Sequence, residues 1–209
     1  MNIPMISQAN KNKAFLIGYV VFCLLYGFSG HHSIYSPKQF SLSPVDKMIP
    51  FMFNSIWIYH SHFLFVFYAM LTCQDELRRT IVYYAMLLAT GIAFAIFMLM
   101  PTELPHPSMD FNGFSGMLWR ALYLTDTPTN CFPSLHVALA SLATCALMVK
   151  NTFWRWAAPL WGVLICVSTL TTKQHYAVDV VGGAVLAMLS FMSIHYLIVP
   201  RYRYENAHQ

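Results

Sequence analysis

Long apolar runs alternate with short polar stretches along the whole chain. The runs cover residues 14–30, 51–73, 80–100, 133–149, 156–171 and 177–199. Each approaches the ~20 residues that a helix needs to cross a hydrocarbon core of ~30 Å. The pattern predicts an all-α polytopic membrane protein, a six-transmembrane-helix bundle forming one domain over 1–209. Residues 14–30 are long for a signal-peptide core and have no small-residue cleavage site after them, so a retained first helix is expected. The longest polar segment, 101–130, is broken by Pro101, Pro105, Pro107 and Pro128. Within it, Trp119 to Leu124 is expected to lie along the membrane interface.

Composition agrees with the pattern. The chain is 57% hydrophobic and 10% charged, against about 25% charged in a soluble domain. Its net charge of +4 is scattered and gives no footing for nucleic acid. Cys23, Cys73, Cys131, Cys145 and Cys166 contain no C-x-x-C pair, so neither a disulfide framework nor a zinc site is expected. No metal and no cofactor is implied.

Loop charge orients the bundle. Lys11, Lys13, Arg78, Arg79, Lys150, Arg155, Arg201 and Arg203 fall on the side of the termini, and Lys38, Lys47, Arg120 and Lys173 on the other. The excess of basic residues near short loops marks the cytoplasmic side. The termini are therefore expected in the cytoplasm, with the first, third and fifth loops facing the periplasm, lumen or exterior.

Two polar clusters flank those outward loops. One is Cys131-Phe132-Pro133-Ser134-Leu135-His136; the other is Lys173-Gln174-His175-Tyr176-Ala177-Val178-Asp179. Two intervening helices, out and back, return the chain to the same face, so the clusters can meet. If the sixth helix begins near Gln174, His175 and Asp179 share one of its faces. A carboxylate one turn away can hold an imidazole by Nδ1–H and leave Nε2 as nucleophile or base. An ionisable residue at the start of an apolar helix is a functional candidate in its own right. His136 falls in the first turn of the fourth helix, after Pro133 and a capping Ser134, where free amides favour an anion. A nucleophilic imidazole, an acidic imidazole and an anion cradle suit phosphoryl transfer. The other histidines carry less. His60 and His62 lie two apart and point to different faces, while His195 and His208 stand near the end of the chain; all four read as packing residues.

At these residues the sequence resembles the phosphatidic acid phosphatase type 2 superfamily. The family's Pro-Ser-Gly-His motif reads Pro133-Ser134-Leu135-His136 here, and its closing His-x-x-x-Asp reads His175 and Asp179. The spelling is most similar to the branch containing inositol phosphorylceramide synthases. The resemblance spans about 101–183. It implies a metal-independent enzyme acting on a membrane lipid phosphate or diphosphate within the bilayer. It also implies catalytic roles for His175, Asp179 and His136, with Ser134 binding the phosphoryl group. The family's phosphate-clamping cations are displaced: His106 stands where an Arg is usual, Leu99 where a Lys is usual, and Ser168 is followed by Thr169. Lys173 is the best substitute, with His106 and Arg120 behind it. The expected activity is a lipid phosphatase, the alternative a phosphotransferase with an alcohol acceptor. A non-enzymatic alternative is a small structural membrane protein or one holding haem between helices, which needs facing histidines inside the bundle. No broken-helix repeat supports a transporter.

Overall fold

A computed structural model describes residues 3–108 and 110–207. His208, one of the histidines set aside above, lies outside the described residues, as do the side chains of Arg201 and Arg203. The described chain is all-α, with eight helices and one minimal ribbon. The helices are α1 (Lys11–His31), α2 (Pro44–Met48), α3 (Ile56–Thr72), α4 (Glu76–Leu99), α5 (Gly113–Thr125), α6 (Leu135–Leu147), α7 (Thr152–Thr171) and α8 (Ala177–Ala207). The strands β1 (Lys38–Gln39) and β2 (Thr102–Glu103) pair in parallel.

Four helices are long and apolar enough to cross a membrane: α1, α4, α7 and the Ala177–Pro200 part of α8. That makes the chain a multi-pass membrane protein. The other two expected spans are shorter. A 3-10 turn at Phe53–Ser55 precedes α3, and the Met52 amide donates to the Thr171 carbonyl, so the helix starts late and runs 17 residues. Helix α6 has only 13 residues: Ser134 caps its start, and it ends at Leu147. At the other extreme, α8 passes through Pro200 to Ala207, beyond the expected end at 199. A proline removes one backbone bond but need not end a helix inside a membrane protein.

Helix α6 is the hub, packing against α3, α4, α7 and α8. Its small residues Ala138, Ala140, Ala143 and Ala146 are fully buried and let neighbouring backbones come close. The two ends of the bundle differ in character. At one end the Lys11 ammonium donates to the Leu71 carbonyl, Arg79 is buried against the carbonyls of Ile6 and Cys73, and Lys150 donates to the Tyr68 hydroxyl. At the other end α2, the ribbon and α5 form a polar cap, into which the starts of α6 and α8 open. The expected return of the chain to one face is thus observed.

Candidate active site

The start of α6 and the corner between α7 and α8 are stitched together by backbone. The Ser134 amide donates to the Asp179 carbonyl at 3.0 Å. Gly183, one turn further along α8, faces the Ser134 carbonyl so closely that a Cβ there would overlap it. Ser134 is the N-cap of α6, its Oγ accepting the Val137 amide at 3.3 Å, which leaves its own hydroxyl proton to donate elsewhere. His136 follows in the first turn. Its ring lies 5.9 Å from that of His175, centroid to centroid and edge-on. Both histidines are less than a tenth exposed.

Asp179 stands behind His175. Its Oδ2 lies 3.4 Å from His175 Nδ1 and accepts the Tyr176 amide at 2.8 Å. The expectation of a shared helical face needs correction. Helix α8 begins at Ala177, so His175 precedes it and Asp179 sits in its first turn. The carboxylate reaches back to the residue before the helix, as the acidic member of a capping box does. The juxtaposition is the same, but capping produces it rather than helical periodicity. A 3.4 Å separation is longer than a direct hydrogen bond of about 2.7–3.2 Å, and His175 Nδ1 has no hydrogen-bond partner among the described residues.

The remaining candidate residues are placed as follows. Lys173, at φ +54 in the left-handed region, directs its ammonium to the Asp46 and Ile49 carbonyls at 3.1 and 2.5 Å. Arg120 is exposed and donates to the Phe111 carbonyl. His106 stacks on Tyr123 with centroids 4.3 Å apart, and burial lowers its pKa, which favours the neutral ring. The structure thus brings together His136, His175, Asp179 and Ser134, and engages the three cationic candidates with the cap around them.

Several site neighbours were not anticipated from sequence. Asp46 lends Oδ1 to the Ala177 amide at 2.7 Å and so caps α8 from a distant loop, while its Oδ2 accepts from Ser43. Burial opposes ionisation of Asp46, but the bonds from the Ser43 hydroxyl, the Ala177 amide and the Ser43 amide hold its pKa below the ordinary carboxylate value. Asp126 accepts the Tyr26 hydroxyl at 2.7 Å, with the Tyr59 hydroxyl 3.5 Å from its other oxygen. Burial raises the Asp126 carboxyl, against the pull of Tyr26, His175 and His106. Tyr59 in turn packs its ring 4.6 Å from that of His136. The His62 ring lies 4.8 Å from that of His136, centroid to centroid. A short polar motif draws attention in a sequence; these residues stand singly and meet only through tertiary packing.

An apolar helical bundle with a buried histidine–histidine–carboxylate cluster at one end defines a class of multi-pass membrane protein whose polar chemistry is gathered at one face. The chain matches the model of the PAP2 superfamily over residues 39–193 and belongs to that superfamily. Membership implies activity of the lipid phosphate phosphatase or phosphotransferase type, generally metal-independent. The matched region begins after α1 and takes in every residue of the cluster. Among curated proteins, no relative matches the chain.

Proposed function

We propose that the protein is an integral membrane lipid phosphatase, a bundle of six membrane-crossing helices with cytoplasmic termini and its site on the opposite face. His175 attacks the phosphorus of a lipid phosphate through Nε2. The bond from phosphorus to the lipid oxygen breaks, and His136 gives that oxygen its proton. The product alcohol stays in the bilayer and the phosphoryl group on His175. His136, now the base, takes a proton from water as that water attacks phosphorus, releasing phosphate and restoring both rings. Asp179 orients His175 and stabilises its charge while phosphorylated. Ser134 donates its hydroxyl proton to a phosphoryl oxygen, beside the free amides at the start of α6.

The observation that carries this reading is the approach of His136, in the first turn of α6, and His175, in the turn before α8, with ring centroids 5.9 Å apart and Asp179 3.4 Å behind His175. The Phe132-Pro133-Ser134-Leu135-His136 spelling favours a second reading. In it an alcohol headgroup replaces water and the same intermediate makes a new phosphoester.

Detergent-solubilised protein should release phosphate from at least one of phosphatidic acid, phosphatidylglycerophosphate and an isoprenyl diphosphate, with EDTA present. His175→Ala and His136→Ala should each abolish release while eluting as folded protein. Full activity in either variant would overturn the assignment. Absence of release from folded wild-type protein would shift the assignment to the transferase, assayed with a phospholipid donor and an alcohol acceptor.

A further inference from the structure

A cavity of about 760 Å³ lies between α1, α3 and α4, and its lining is almost wholly apolar. That volume falls in the range of roughly 300–1,000 Å³ typical of small-molecule sites. Phe22, Val66, Met86 and Leu87 form its walls. Leu16 and Leu64, both exposed, form lips that open sideways to the bilayer. Along α3 it extends from His62 to Leu71, a rise of roughly 13 Å at 1.5 Å per residue.

One polar side chain stands out in that wall. His62 is 3% exposed, and neither of its ring nitrogens has a hydrogen-bond partner among the described residues. A neutral imidazole carries one donor and one acceptor. Leaving both unpaired at membrane depth is costly, because hydrocarbon offers nothing in exchange. The ring is also the joint between cavity and site, in contact with His136 on its other side. A partner for His62 therefore has to arrive with whatever fills the cavity, and it has to reach His62 next to the reacting phosphate.

We propose that this cavity holds a hydrocarbon chain of the substrate lipid, and that His62 hydrogen-bonds an oxygen of the lipid's linkage region, an acyl carbonyl or a hydroxyl. The assignment rests on the phosphatase reading only for the position of the phosphate at His136 and His175. It selects lipids with an oxygen-bearing linkage over isoprenyl phosphates, whose chain has no such group. One wall is α1, which lies outside the residues matched to the superfamily.

The test is photo-crosslinking to the full-length His175→Ala protein, where turnover does not consume the probe. The probes are phosphatidic acid with a mid-chain diazirine, its dialkyl ether counterpart without carbonyls, and ceramide phosphate with the same diazirine. Phosphatidic acid should label peptides of α1, α3 and α4, and excess unlabelled phosphatidic acid should compete. Leu87→Trp and Val66→Trp, which fill the cavity from opposite walls, should each remove that labelling in protein that remains monodisperse. His62→Phe should weaken labelling by the ester lipid roughly ten- to a hundredfold, the range expected for one buried group left unpaired. His62→Gln should recover part of it, and the ether lipid should be indifferent to both changes. A stronger signal from ceramide phosphate would assign the oxygen to a long-chain base, a weaker one to a glycerol ester. Labelling on the outer faces of α7 and α8, or insensitivity to both tryptophans, would overturn the cavity. Equal losses for ester and ether lipids would reduce His62 to packing. Labelling without phosphate release by wild-type protein would sink the phosphatase reading and leave the cavity standing; release without labelling would do the reverse.

Discussion

The two flanks of the helix bundle are built on opposite principles. Toward α7 and α8 the contacts are close. The Thr144 hydroxyl lies 2.7 Å from where a Cβ on Gly162 would stand, and Gly183 lies against the Ser134 carbonyl. Toward α1, α3 and α4 the wall is made of large side chains that leave space between them. A reacting pair needs fixed geometry, and small residues supply it by bringing backbones together. A lipid chain needs room, and side chains that meet imperfectly supply that. On the proposed reading, precision sits where α6 meets α7 and α8, and room for a chain sits between α1, α3 and α4.

The largest expected effect breaks the close flank at its chemistry. Asp179→Asn keeps an oxygen for the Tyr176 amide, so the start of α8 should survive. It presents an amide where His175 meets a carboxylate, and the rate should fall by roughly a thousandfold, in the manner of other imidazole–carboxylate pairs. Phosphate release by protein of unchanged thermal stability checks it; a loss under tenfold would remove Asp179 from the mechanism. A smaller effect contrasts the close flank with an exposed helix surface. Gly183→Ala forces a methyl group into the Ser134 carbonyl and should lower Tm by roughly 3–10 °C, with activity falling too, given an overpacking cost of about 1–3 kcal/mol. Gly91→Ala on α4, where a Cβ meets nothing within 4 Å, should instead raise Tm by roughly 1–4 °C, because alanine suits a helix interior better. Equal shifts in the two variants would mean that Gly183 is not held in close contact with Ser134.

Much of the close flank was legible in the sequence, and almost none of the open one was. Pro133-Ser134-Leu135-His136 and His175 with Asp179 combine cap chemistry with polar residues in apolar surroundings, and both signals survive in a single sequence. The start of α3 is not legible, because a 3-10 turn sets it rather than hydropathy, whereas α8 begins at Ala177 as its apolar run indicates. His62 was read as a packing residue facing away from His60. That is correct as geometry, but α3 is apolar on all sides, so periodicity could not say that His62 faces α6. Asp126 carries no signal in the sequence, because its partners, Tyr26 and Tyr59, come from helices far apart in the chain. The expected phosphate clamp was sought among Lys173, Arg120 and His106, and all three engage groups of the polar cap. Charge counts reveal that a cation exists but not which carbonyl it meets.

The smallest expected effect concerns the cap that joins the flanks, where two carboxylates should respond to pH in opposite senses. Asp46 is held below its ordinary pKa by the Ser43 and Ala177 donors. Its contribution to stability is therefore present above the ordinary carboxylate value of about 4 and is lost as pH falls through the lower folded value. Asp126 is raised by burial, so its contribution is full below that ordinary value and is lost as pH rises through the higher folded one. Thermal unfolding in detergent across pH 3 to 8, roughly the span of both transitions, separates them. Asp46→Asn should flatten the acid limb of the Tm profile and lower its plateau, since an amide cannot accept from Ser43 and Ala177 on both oxygens. Asp126→Asn should leave the acid limb and flatten the decline above pH ~4, where the buried carboxyl begins to ionise. If both variants flatten the same limb, the two loops do not hold their carboxylates in opposite states, and the cap is a single electrostatic unit rather than two independent anchors for the α8 corner and for Tyr59 against His136.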